Sequence, residues 1–385
     1  LSCKKDIKNQ DTNQPTSDFV IPAATPVNGS VSGVVVDEHN VPVNGAEVKI
    51  GSSTVTTDAR GSFLVTNVQL DKYVSTVTIN KPGYFKAVRS FSASATLNYV
   101  NIKLIPRTLA GTIDSNNPSA VTLSNGTNIS LQSNSVVIKS SGAAYTGQVK
   151  VYAAYIDPTS TDMSTVVPGS LMGQDANNMY ALQSTGMIAV DLESASGEAL
   201  QLAGSKPASI KMPIPTSLQS KAPATIDTWS LDDRGVWIKE GTATKNGNVY
   251  EMQATHFSFW NCDVPAVSTY LSIHVQDQAG NPLINTLVSL TVPNNTTWWS
   301  TTYGFTDSLG NVAGIIPAGT ELELNVFSNP YNCAGPLYTQ TVGPFTSGSA
   351  ITITATLASS SALTVTGTVT DCNDQPLAKD RKSVV

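Results

Sequence analysis

Three histidines, four cysteines and a few close pairs of acids are the side chains from which any acid–base, nucleophilic or metal chemistry in this 385-residue chain would have to be built. Nucleophilic catalysis needs a Ser or Cys beside a base that is itself oriented by an acid. No G-x-S-x-G elbow occurs. His256 stands in the run His256-Phe257-Ser258-Phe259-Trp260-Asn261, whose aromatic density predicts a strand with the imidazole in a core or hairpin role. His39 falls among turn formers and is expected in solvent. His274, between Ile273 and Val275, is expected on the outer face of a strand. Cys3, Cys262, Cys333 and Cys372 form no C-x-x-C pair, and with so few histidines a zinc site of ordinary spacing is not visible. Spacing alone leaves a disulfide among Cys262, Cys333 and Cys372 open. Asp232 and Asp233 are adjacent in a D-D-R-G turn, whereas glycosidase carboxylates face each other across a cleft. Neither that turn nor Asp371-Cys372-Asn373-Asp374 has the alternating ligands and distal Glu of a calcium loop. No catalytic residue, metal or cofactor is therefore expected.

One run does point to a ligand. From Pro293 to Tyr303 the chain reads P-N-N-T-T-W-W-S-T-T-Y. Trp298, Trp299 and Tyr303, followed by Phe305, offer aromatic faces for the apolar C–H faces of sugar rings, and Asn294, Asn295 and Thr297 offer hydrogen bonds to hydroxyls. Adjacent Trp residues on a strand point to opposite faces, so at least one of the two is expected in the core.

The elements that must carry these residues are strands. Charged residues are 13% and hydrophobic ones 40%, with Ser, Thr, Asn, Val and Gly throughout, the make-up of Thr- and Val-rich strands joined by small-residue turns. A chain this long is expected to divide into two to four domains. Lys and Arg number 22 against 28 acids, and no basic block exceeds a pair, so nucleic acid is excluded as an expected partner. No run of about 18 apolar residues suggests a membrane-spanning helix.

Val31, Val34 and Val36 open a strand that ends at Asp37-Glu38-His39-Asn40 and Pro42. Gly45-Ala46 starts the next, Glu47 to Ile50, with period-two alternation. In Thr57-Asp58-Ala59-Arg60-Gly61-Ser62-Phe63, Asp58 is placed to accept backbone N–H bonds, Gly61 to take a positive φ, and Phe63 to return to the core. The key turn residues are thus Asp37, Pro42, Gly45, Asp58 and Gly61. The pattern returns with drift: Val275-Gln276-Asp277, Pro282 and Thr306-Asp307-Ser308-Leu309-Gly310 match, while Gly33 becomes Ile273 and Gly45 becomes Asn285. It opens a third time at Val365-Thr366-Gly367 with Asp371 and Pro376, then stops after one strand. A lone strand cannot bury a sandwich core, so the repeat is expected to continue in the natural protein. Asp380–Val385 resembles the translation of a common sequencing adapter and is expected to be non-native.

The spacing V-x-G-x-V-x-D-x-x-x-x-P-V-x-G-A followed by T-D-x-x-G-x-F resembles the carboxypeptidase regulatory-like domain over about 75 residues. That resemblance implies a small transthyretin-like β-sandwich with an accessory, non-catalytic role. In the middle, Gly147 to Ile156 and Met187 to Leu192 read as strands, and Trp229-Ser230-Leu231-Asp232-Asp233-Arg234-Gly235-Val236-Trp237 as a hairpin. That hairpin and the H-F-S-F-W-N run are similar to segments of Bacteroidetes surface lipoproteins and, more distantly, of cartilage-intermediate-layer-type proteins, which implies a β-rich extracellular module. Leu1-Ser2-Cys3-Lys4-Lys5-Asp6 resembles the end of a bacterial lipoprotein signal, which implies lipidation at Cys3, and the polar, Pro-punctuated stretch to Gly29 suits a tether.

The expected fold class is all-β, with tandem sandwich modules flanking a distinct middle module. The expected segments are a lipidated tether (1–29), a first sandwich (30–106), a β-rich middle (107–263), a second, divergent sandwich (267–358), the start of a third (363–379) and a tail (380–385). The expected function is that of a non-enzymatic lipoprotein at a bacterial outer membrane, structural or adhesive, with the membrane as partner through Cys3. The alternative is a carbohydrate-binding accessory protein of a glycan-utilisation system, using the Trp298 region on a glycan or acting on another surface protein.

Overall fold

The computed structural model describes residues 24–293, 302–327 and 335–355. Cys3, the tether, Cys333, Cys372, the third repeat and the tail lie outside the described residues, as do Asn294, Trp298 and Trp299.

The first unit has eight strands: β1 (Pro26–Val36), β2 (Glu47–Ile50), β3 (Ser53–Thr56), β4 (Ser62–Asp71), β5 (Ser75–Asn80), β6 (Ala87–Phe91), β7 (Leu97–Tyr99) and β8 (Ile102–Lys103). β1 pairs antiparallel with β4 and parallel with β7 and β8, while β3-β2-β5-β6 form a second sheet. The two sheets enclose a core of Val31, Val35, Val48, Ile50, Phe63, Val65, Val77 and Ile79. Alternation explains why: in β1 every second residue from Gly29 to Val35 is buried or packed against a neighbour, and in β2 only Val48 and Ile50 turn inward.

The middle unit begins with β9 (Leu109–Asp114), β10 (Ser119–Thr122), β11 (Asn128–Leu131), β12 (Val136–Ile138) and β13 (Gln148–Ile156). A single helical turn follows, α1 (Met163–Val166), and then β14 (Met172–Gln174), β15 (Met179–Ser194), β16 (Ala199–Leu202) and β17 (Ala208–Pro213). It closes with the hairpin β18 (Thr225–Leu231) and β19 (Trp237–Asn246), and β20 (Val249–Ala254). Leu231 pairs with Trp237 across the hairpin, as the sequence predicts, and both Trp229 and Trp237 are fully buried.

The last described unit comprises β21 (Phe259–Gln276), β22 (Leu287–Thr291), β23 (Thr302–Phe305), β24 (Asn311–Pro317), β25 (Leu322–Phe327), β26 (Tyr338–Val342) and β27 (Ser349–Thr354). Its connectivity reproduces that of the first unit, with β27 alone where the first has β7 and β8. β21 pairs antiparallel with β24 and parallel with β27, and β23-β22-β25-β26 form the opposing sheet. β21 is 18 residues long, and its first half pairs with β15 and β18 of the middle unit. Residues 263–267, between the second and third expected segments, are thus the centre of one strand shared by two units.

The repeat extends to single hydrogen bonds. Thr57 Oγ1 donates to the Val43 carbonyl and accepts from Ala46 N–H, while Thr306 Oγ1 donates to the Leu283 carbonyl and accepts from Thr286 N–H. Asp37 Oδ1 accepts from His39 and Val41 N–H, and Asp277 Oδ1 from Ala279 and Asn281 N–H, each at 2.8 Å. Asp58 and Asp307 hold their turns in the same way, accepting N–H bonds from residues two and four further on. Gly61 and Gly310 have φ +70° and +77°, and a Cβ at either would lie 2.3 or 2.5 Å from the carbonyl oxygen of Val35 or Val275. Gly45 (φ +68°) is replaced by Asn285 (φ +47°), since Asn is the side chain that best tolerates left-handed backbone.

Gly61→Ala is expected to destabilise by at least about 1–3 kcal/mol, from the strained φ together with the steric conflict. Gly45→Asn, a residue the second copy already uses, should shift stability by less than about 1 kcal/mol. Urea unfolding of the two variants followed by fluorescence tests the contrast.

Candidate functional site

The histidines do not assemble a catalytic centre. His256 precedes β21 and does not lie within a strand, which corrects the expectation from its aromatic neighbours: the strand begins only at Phe259. Its Nε2 lies 2.9 Å from Glu240 Oε1, its ring tilts against Trp260 at 5.2 Å, and its carbonyl accepts from Trp260 Nε1–H. Ser230 Oγ donates to the same Glu240 oxygen. The order is therefore Ser–carboxylate–His, in which the carboxylate separates the hydroxyl from the base, and nucleophile activation requires the imidazole between them. His39 is solvent-exposed beside Glu38 at 3.6 Å. His274 is on the outer face of β21, with Nδ1 3.0 Å from Asn311 Oδ1. No group of three or more His, Cys, Asp or Glu placed to hold a metal occurs among the described residues.

Asp232 and Asp233 form the hairpin turn. Asp232 Oδ1 accepts from Arg234 and Val236 N–H, and Asp233 reaches Lys86 of the first unit at 3.4 Å. The turn also docks there through its backbone, as Ser90 Oγ donates to the Gly235 carbonyl and Thr76 Oγ1 to the Arg234 carbonyl. Cys262 is a fully buried free thiol in the middle core, pushed up in pKa first by burial and then by the adjacent Asp263. That leaves Cys262 out of the disulfide that the spacing had left open.

Asp263 is the titratable group that sequence reading missed. It is fully buried, and neither carboxylate oxygen has a hydrogen-bond partner. It pairs across the sheet with Ser184 on one side and Asp227 on the other. Burial raises its pKa well above the ordinary carboxylate value, and Asp227 adds to the rise. The nearby Ser184 hydroxyl opposes the shift, but it donates to Asn261 Oδ1 at 2.7 Å. No local pattern marks Asp263, because it lies in a strand of mixed residues whose burial there depends on two partner strands, β15 and β18.

A cavity of about 700 Å³ lies where the two sandwich copies and the middle unit meet. The first copy contributes Tyr73, Ser92, Asn98 and Tyr99, the middle unit Ser170 to Met172, and the second copy Tyr270, Ser272, His274 and Asn311. Tyr73 and Tyr270 meet edge to face at 5.3 Å. Of the expected sugar-binding residues, Tyr303 lies in β23 and lines this cavity with Phe305. The two copies are tied beside it: Thr96 Oγ1 donates to Asp307 Oδ2 at 3.1 Å, Ser308 N–H to the Leu97 carbonyl at 2.9 Å, and Asn101 Nδ2 to Asn285 Oδ1 at 3.2 Å.

No family model matches the sequence, and no curated protein matches it. Among solved structures, the chain aligns with the TIE protein of Bacillus anthracis (10% identity, 86% of this chain and 51% of that one, TM-score 0.19), so it spans about half the length of that protein. It also aligns with BcpA, the major pilin subunit of Bacillus cereus (11% identity, 87% of this chain and 100% of that one, TM-score 0.19). A third is a suspected carbohydrate-binding protein from Bacteroides uniformis (12% identity, 46% of this chain and 96% of that one, TM-score 0.18). Likeness at that level decides nothing about what this chain binds or does.

The raised pKa of Asp263 carries a sign. Above the unfolded-state value of about 3.9 the unfolded chain releases this proton while the folded chain keeps it, so stability falls as pH rises towards the folded pKa. Asp263→Asn removes that slope. Thermal melts between pH 4 and pH 8 should show the variant gaining Tm over the parent as pH increases, with the smallest difference at pH 4.

Proposed function

We propose that this chain is a non-enzymatic, cell-surface protein of structural or adhesive role, carried on a lipid at Cys3 and displaying carboxypeptidase regulatory-like sandwiches from a bacterial outer membrane. The observation that carries the reading is the way the units are joined. A strand common to two units, a turn docked by backbone carbonyls and hydrogen bonds between the sandwich copies turn three modules into one continuous body. Such joining suits reach and load at a surface. The rest of the architecture supports it in kind: acids and hydroxyls engaged in turns, and the histidines spread over separate faces. No described helix is long and apolar enough to cross a membrane, so attachment in this reading rests on the N-terminal lipid.

The full-length protein, expressed with a bacterial lipoprotein signal ahead of Cys3, should incorporate a palmitate analogue, and Cys3→Ala should abolish the label. An unlabelled protein, or equal labelling of the variant, would remove the anchor from this reading.

A further inference from the structure

The two sandwich copies agree at their turns and differ on one face, and the cavity sits against that difference. In the first copy, β4, β1 and β7 place Leu64, Ser32 and Tyr99 in one row across the outer face of the three-strand sheet. In the second copy the same row is Ala313, Ser272 and Ala350. Two bulky side chains have become methyl groups. The next row, Ser62 and Val34 in the first copy, becomes Asn311 and His274, a hydrogen-bonded polar pair. On the other side of the hollow stands Tyr270, where the first copy has Ser30. All six second-copy residues line the cavity, and Tyr73 and Tyr99 of the first copy face it from across the junction.

We infer that this hollow between the copies is a binding site for a neutral oligosaccharide. Its volume, about 700 Å³, falls in the range of sites that enclose small ligands, of the order of 300–1,000 Å³. Its lining holds few charges, and two of them, Asp307 and Arg89, are hydrogen-bonded within the fold. Asp307 accepts from Leu309 N–H, Asn311 N–H and Thr96 Oγ1, Arg89 donates to the Ser164 and Val167 carbonyls, and Lys72 lies over the Tyr73 ring at 5.4 Å. The other polar groups of the lining are serine, threonine and tyrosine hydroxyls, the amides of Asn98 and Asn311 and the imidazole of His274, set beside aromatic rings. Aromatic faces for C–H groups and neutral hydrogen-bonding groups for hydroxyls are what a sugar chain requires, whereas phosphates and carboxylates call for a cluster of cations and lipids for an unbroken apolar wall. The site shares Tyr303 with the expected sugar-binding run, and it stands or falls independently of the lipid anchor and the display role.

The test uses the full chain on an array of neutral and charged glycans, followed by calorimetry with the best-bound oligosaccharide. Ala313→Leu and Ala350→Tyr restore the first copy's residues and refill the hollow; each should weaken binding about tenfold or more with an unchanged melting temperature. His274→Val, again the first copy's residue, should weaken binding without filling space, and it provides the test should either filling variant fail to fold. Absence of binding to every neutral glycan overturns the inference. Binding that survives all three substitutions overturns it as well, as does a preference for charged glycans lost only on adding salt.

Discussion

β21 is the constraint on which the rest of the structure depends. Its 18 residues enter the middle unit at Phe259 and leave the second sandwich copy at Gln276 without a turn. A strand is held by its ladder on both sides, so the middle unit's β15 and β18 and the sandwich's β24 and β27 all take their register from one backbone. A hinge between the two units would have to break that ladder. The first copy is then fixed to this body from the side, by the hairpin turn at Gly235 and by the Asp307–Ser308 turn.

The cost of a shared strand appears at Asp263. A linker would have left this carboxylate in water, but in the strand's centre it is enclosed between Ser184 and Asp227 and held towards its neutral form. Cys262, its neighbour on the opposite face, is packed in the middle core near Met252 and is kept as a thiol by the same burial. Adjacent residues on a strand thus meet two different interiors, because side chains alternate and this strand has a unit on either side.

The sandwich copies show which features the fold requires and which it leaves free. The Thr57 and Thr306 clasps, the Asp turns and the glycines at 61 and 310 recur because each satisfies backbone groups or fits a backbone that no other residue fits. The outer faces are under no such demand. Leu64 can become Ala313 and Val34 can become His274 without disturbing a ladder bond, and so the hollow between the copies arises where the fold tolerates change.

Much of this was legible in the sequence. Alternation of Val and polar residues determined the strands, and the T-D-x-x-G spacing determined both the turns and the repeat, since these depend on neighbours within a few residues. The hairpin between Trp229 and Trp237 was legible for the same reason. Tertiary structure alone decided the rest. It placed His256 at the surface beside Glu240, buried Asp263 without a partner, ran one strand through the expected junction, and opened the cavity between residues about 200 positions apart. Each of those outcomes turns on which strands pair across long separations, and period-two patterning states that a face is buried without stating what covers it.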